Sequence, residues 1–225
     1  MRFLILIMLT VYFPRAGFAE EAFSVNSYVV ELDEDISGEN RAAYANDWWQ
    51  WAASMPGAES PVQDTTGAKC DTNQQGSVWY LAGGYGTSLI RRTCTVPRDR
   101  HLFFPVINML VYPPRGGSIT CSGAKEEAAR NNNRYTYIRV YIDGVQVQNA
   151  ERFRVASVDC FNLLAHIPPE VNAPDVSPSA TDGYWIMLRP LPVGTHKLDF
   201  QAFYTNPEVD FGGMVQNISY DLKIQ

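Results

Sequence analysis

Five polar side chains, Asp64, Gln75, Arg92, Asn108 and Asp182, stand among aromatic or apolar neighbours, and His196, just after a tight turn, is a sixth candidate for the same polar cluster. An unpaired polar group in such a setting costs about 1 to 3 kcal/mol, so each is expected to have a partner. They either tie loops to strands around a Cys70–Cys94 link or converge in a cleft at one end of the fold. Convergence of Asp64, Arg92, Asn108, His196 or a tyrosine would supply acid–base groups for a lyase or hydrolase, because catalytic groups need spatial rather than sequential proximity.

Aromatic residues offer a second kind of chemistry, since flat rings stack on sugar faces and tyrosine hydroxyls add hydrogen bonds. Tyr135, Tyr137 and Tyr141, with Arg139, fall on one side of an alternating run, and Thr136, Ile138, Val140 and Ile142 fall on the other. If no layer covers it, the tyrosine side is an exposed platform; the alternative is that this face is core. Trp49 lies off the helical stripe occupied by Trp48 and Trp51 and is a further candidate, as is Trp185. Trp48, Trp51 and Trp79 are expected in the core.

Weaker patterns have bland explanations. Asp33-Glu34-Asp35-Ile36-Ser37-Gly38 matches the first half of a calcium loop, but Tyr44 stands where the bidentate acid belongs. Acids near a helix start account for the same residues, so calcium at Asp33 and Asp35 is a secondary expectation and no other metal or cofactor is expected. Ser122 and Lys125 have the spacing of a serine–lysine pair but lack an accompanying Lys-Thr-Gly. His101, His166 and His196 are the only histidines, and none stands at metal-ligand spacing with another histidine or a cysteine.

The elements that must position these residues are mostly strands. Residues 23–32 alternate as a first strand, and Ser37 reads as the cap of a helix whose stripe is Tyr44, Trp48, Trp51 and Met55, ended by Pro56-Gly57. The period then becomes two over 77–82, 88–96, 102–111, 134–142, 184–189, 196–204 and 215–224. Asp143-Gly144 is a two-residue hairpin turn leading into Val145 to Gln148. With long connections at 112–133 and 167–183, the expectation is a mostly β, jelly-roll-like sandwich of two antiparallel sheets with one N-terminal helix.

The beginning of the chain sets the compartment. Arg2 precedes an apolar run from Phe3 to Phe13, and Gly17-Phe18-Ala19 supplies small residues before a cut, so residues 1–19 are a signal peptide and Glu20 the expected mature N-terminus. The run is too short to cross a bilayer, and no later segment approaches that length, so no membrane span is expected after cleavage. The remaining 20–225 suit one domain. Cleavage removes Arg2 and Arg15 but no acid, leaving 16 basic against 24 acidic side chains, a formal charge of about −8. That balance argues against a nucleic-acid partner. After export, Cys70, Cys94, Cys121 and Cys160 would form disulfides; sequential pairing, Cys70 with Cys94 and Cys121 with Cys160, is preferred among three possibilities.

From Trp48 onward the sequence resembles a group of exported bacterial proteins of unestablished function. The carrying motifs are Trp48-x-x-Trp51, Asp64-Thr65-Thr66-Gly67 leading to Cys70, Gln75-Gly76-x-Val78-Trp79-x-Leu81-Ala82-Gly83, Arg92-x-Cys94 and Phe103-Phe104-Pro105-Val106-Ile107-Asn108. Asp182-Gly183-Tyr184-Trp185 and Leu191-Pro192-x-Gly194-x-His196 complete them. The resemblance implies a shared fold and brings no activity.

The expected function is therefore that of a secreted or periplasmic protein binding an extracellular or envelope ligand, with a glycan the leading class. An enzyme on an extracellular polymer is the alternative, and a structural or assembly component of the envelope the third reading.

Overall fold

The structure is a computed structural model and describes residues 24–55, 57–85, 89–167, 176–205 and 213–225. The expected signal peptide at 1–19, with Glu20, lies outside the described residues. The elements are a single helical turn α1 (Val25–Tyr28), α2 (Arg41–Ala53), β1 (Val78–Tyr80), β2 (Ile90–Val96), β3 (His101–Val111), α3 (Cys121–Asn132), β4 (Tyr135–Ile142) and β5 (Val145–Gln146). They continue with β6 (Arg154–Ala156), β7 (Ala180–Leu188), β8 (Gly194–Thr205) and β9 (Gly213–Ile224).

The strands form two sheets, β1-β3-β7-β6 and β2-β9-β8-β4-β5, as the alternating runs predict. Each sheet is antiparallel through its centre but ends in a parallel pair, β1 with β3 and β2 with β9, which corrects the all-antiparallel expectation. Parallel neighbours cannot be joined by a tight turn. The chain solves this by sending β2 into the opposite sheet between β1 and β3. The hairpin between β4 and β5 forms as expected, with Asp143 and Gly144 at φ +52° and +79°.

The main core lies between the sheets, where Phe104, Ile186, Phe200, Ile218 and Tyr220 meet. A second core lies outside the four-stranded sheet, because α2 covers that face with Tyr44, Trp48 and Trp51 over Phe103, Trp185 and Met187. The strands β3 and β7 are thus buried on both faces, which explains their continuous apolar runs. In contrast, β2 alternates strictly between buried and exposed residues, so the five-stranded sheet presents an open outer face.

Three local expectations are corrected. Residues 25–28 form a helical turn instead of a strand, because Ser27 Oγ donates to the Ser24 carbonyl at 2.7 Å and closes the backbone locally. After this turn Val29 bridges to Leu188 and Val30 N donates to the Met187 carbonyl of β7. The cap of α2 is Asn40, whose side chain accepts from Ala43 N at 3.0 Å; Ser37 sits at φ +53° in the preceding turn and shares a hydrogen bond with Ser77. The 112–133 connection contains α3, capped by Thr120 and tethered by the Cys121–Cys160 disulfide. Cys70 pairs with Cys94, giving the sequential connectivity. Among the described residues no helix is long and apolar enough to cross a membrane.

Candidate ligand-binding cleft

At the end of the sandwich where β3 runs out and β9 begins, α2 and the β1–β2 connection stand apart and leave a cleft of about 550 Å³. Trp49 forms one wall, held by donation from its Nε1 to Thr181 Oγ1 at 2.8 Å. Thr181 Oγ1 donates in turn to the Met109 carbonyl at 2.6 Å, so β7 fixes both the wall and the floor strand. Gln216 is 2% exposed and clamps the opposite side: Gly84 N donates to its Oε1 at 3.1 Å and its Nε2 donates to the Gly84 carbonyl at 2.8 Å. Behind the floor, Asn131 of α3 donates to the Tyr204 hydroxyl at 3.1 Å.

Two tyrosines stand at the rim, Tyr85 at 65% and Tyr112 at 48% exposure. Between them and Trp49 lies Asn108, which is 6% exposed and whose side-chain nitrogen has no hydrogen-bond partner among the described residues. Such a group is expensive to leave unmade and is the kind of polar feature that orients a ligand in an otherwise apolar cleft. The combination offers exposed rings for stacking and amide groups for hydroxyls.

Trp49 and Asn108 are thus brought together; the other polar candidates are not. Arg92 is 2% exposed and works as a strut, donating from Nε to the Asp64 carbonyl at 2.7 Å, from Nη1 to Ala82 O at 2.9 Å and from Nη2 to Val62 O at 3.1 Å. Asp64 uses its carboxylate on Thr66 and on Lys69 N, ordering the turn before Cys70. Asp182 is paired bidentately with Arg154 and accepts from Asn132 of α3. Burial outweighs these partners and holds the Asp182 carboxyl above its ordinary range. His196 sits at the β4–β5 end, bonded to Asp143 Oδ2 at 2.7 Å and the Pro192 carbonyl at 2.9 Å. Gln75 is exposed on the far side of α2; its neighbour Gln74 makes the structural bonds, to Cys70 O, Tyr80 O and Tyr80 N.

The aromatic candidates also separate. Trp185 is fully buried, stacked on Phe103 with centroids 5.3 Å apart, and is corrected from ligand site to core because α2 covers that sheet face. Tyr137 is 37% exposed on the outer face of the five-stranded sheet, stacked on Phe203 and capped by the Arg139 guanidinium at 5.5 Å. Tyr141 is half-buried on that same face; Tyr135 pairs with Tyr204 through its backbone, and its side chain lies outside the described residues. Asp33 and Asp35 are exposed ahead of the Ile36–Glu39 turn. Ser122 and Lys125 fall near the start of α3, where Lys125 donates to the Val158 carbonyl.

Tyr85 and Tyr112 were not singled out by periodicity, since both sit in connections. Their signal is an aromatic ring in a turn sequence, Gly83-Gly84-Tyr85-Gly86 and Tyr112-Pro113-Pro114. The chain matches no protein-family model, and neither a curated protein nor a solved structure is significantly similar to it.

Proposed function

We propose that the protein is exported to the periplasm or the cell exterior and binds a glycan in the end cleft. The carrying observation is the meeting of exposed Tyr85 and Tyr112 with Trp49 around the buried, unpartnered amide of Asn108. Sugars present C–H faces that pack on rings and hydroxyls that pair with amides, so this lining suits them better than it suits a charged or wholly apolar ligand. Two disulfides support an oxidising compartment, and the signal-like start supports export. The motif resemblance points to the exported bacterial group, whose shared runs supply the β3 floor and the α2 wall.

Binding is preferred to catalysis because Asp64, Arg92 and His196 are spent on structural bonds in separate places. A glycan array followed by polysaccharide pull-down tests the reading. Retention on at least one glycan, reduced tenfold or more by Tyr112→Ala, is the expected result; retention unchanged by both Tyr112→Ala and Trp49→Ala removes the cleft as the site. The outer-face pair Tyr137 and Phe203 is the second location, favoured by an exposed tyrosine ring stacked on a half-buried phenylalanine.

A further inference from the structure

A second cleft, of about 820 Å³, lies on the other side of α2, between that helix, the turn at 36–39 and β1. The helix divides the two clefts by periodicity: Trp48, Trp49 and Ala52 face the first, and Tyr44, Asp47 and Trp51 the second. Nothing in the end-cleft reading uses this second space. Its chemistry is different.

Asp47 is half-buried in its wall and makes neither a hydrogen bond nor an ion pair among the described residues. It is exceptional in this. Every other buried or half-buried carboxylate described is engaged: Asp64 by Thr66 and Lys69, Asp182 by Arg154, Glu34 by Arg189, Glu127 by Arg130 and Asp199 by Lys197. Around Asp47 stand Glu39 at the mouth, His166, and the rings of Tyr44, Trp51 and Tyr80. Tyr80 and Trp51 pack with centroids 5.6 Å apart, and the Tyr80 hydroxyl has no hydrogen-bond partner among the described residues. Among the described lining residues there is no lysine or arginine.

A carboxylate withdrawn from water and left unpaired is unfavourable, and here it faces a space large enough for a small molecule. What it lacks among the described residues is a paired cation, since His166 lines the cleft without forming an ion pair with it. Among the described residues no group of three metal-ligating side chains is assembled, and the wall is aromatic, which suits a soft organic cation through ring faces and edges together with the carboxylate. We propose that this cleft binds an organic ammonium group, with Asp47 as its counter-charge, Glu39 as an outer charge and the Tyr80 hydroxyl as a hydrogen-bond partner. The ammonium could be carried by a free polyamine or by a deacetylated amino-sugar unit; both present the same N–H donors and positive charge. Burial and the neighbouring Glu39 push the Asp47 carboxyl up while His166 opposes them, and a bound cation would relieve that.

Titration calorimetry on the mature chain tests this with three probes: spermidine, a fully deacetylated glucosamine tetramer and its N-acetylated counterpart. Saturable binding of one or both ammonium probes, at least tenfold weaker with Asp47→Asn and weakened to a lesser degree by Glu39→Gln, is the expected result. Asp221→Asn, on the opposite sheet's outer face, should leave it unchanged. Binding of the tetramer without spermidine assigns the amino-sugar source, and binding of both assigns the ammonium alone. If Asp47→Asn does not fold, Tyr80→Phe, which removes only a hydroxyl, must weaken the same probes. The proposal is overturned if neither ammonium probe binds, if the N-acetylated tetramer binds equally well, or if Asp221→Asn weakens binding as much as Asp47→Asn.

Discussion

Asn108 faces Gly183 across the β3–β7 pair so closely that a Cβ on residue 183 would lie 2.6 Å from the Asn108 Cβ and 2.8 Å from its Cα. The glycine makes room for a strand position that carries a polar side chain into the end cleft. Gly183→Ala is expected to push β3 and β7 apart locally, at about 1 to 3 kcal/mol. Because Asn108 moves with its strand, glycan retention should fall along with the melting temperature; Asn108→Ala should lower retention while keeping most of the stability. Melting curves and pull-down on both variants check this.

Arg92 is a buried cation that donates to oxygens of uncharged groups, the carbonyls of Asp64, Ala82 and Val62 and the Tyr220 hydroxyl. Its planar fork reaches three segments of chain at once, and a lysine ammonium at the same position cannot. Arg92→Lys is expected to leave carbonyls unsatisfied and to lose about 3 kcal/mol, measured by chemical denaturation with an unchanged slope. A loss under 0.5 kcal/mol would contradict the strut.

Asp64 supplies a pH signature. Burial alone would raise its carboxyl, but hydrogen bonds from Thr66 Oγ1, Thr66 N and Lys69 N hold it below the ordinary range. A depressed folded value means the contribution to stability is present above the unfolded pKa of about 3.9 and lost as pH falls through the folded one. Asp64→Asn should therefore be less stable than the parent at pH 7, and the gap should close by about pH 2. Melting temperatures across that range measure it.

Much of this architecture is written in local pattern, and what is not has identifiable causes. β2 and β4 read correctly because one face of their sheet is open, so burial alternates with the pleat. Tyr44, Trp48 and Trp51 of the α2 stripe read correctly because these buried residues are large, whereas Met55 falls beyond the helix, which ends at Ala53. α3 escaped notice because its buried stripe is Ala124 and Ala128, too small to give a hydrophobic period. Trp185 looked available as a ligand platform because no local rule says that α2 crosses its sheet; only the layer order buries it. Asn108 was legible as a polar residue in an apolar run, whereas Tyr85 and Tyr112 lie in turns, where period carries no information.

The central claim is that the end cleft, rather than the open sheet face, holds the glycan. The most direct measurement compares the dissociation constant of the best-retained oligosaccharide for the parent, Tyr112→Ala and Tyr137→Ala. The account predicts at least a tenfold weakening with Tyr112→Ala and less than a twofold change with Tyr137→Ala. A loss of binding with Tyr137→Ala while Tyr112→Ala binds like the parent would contradict it.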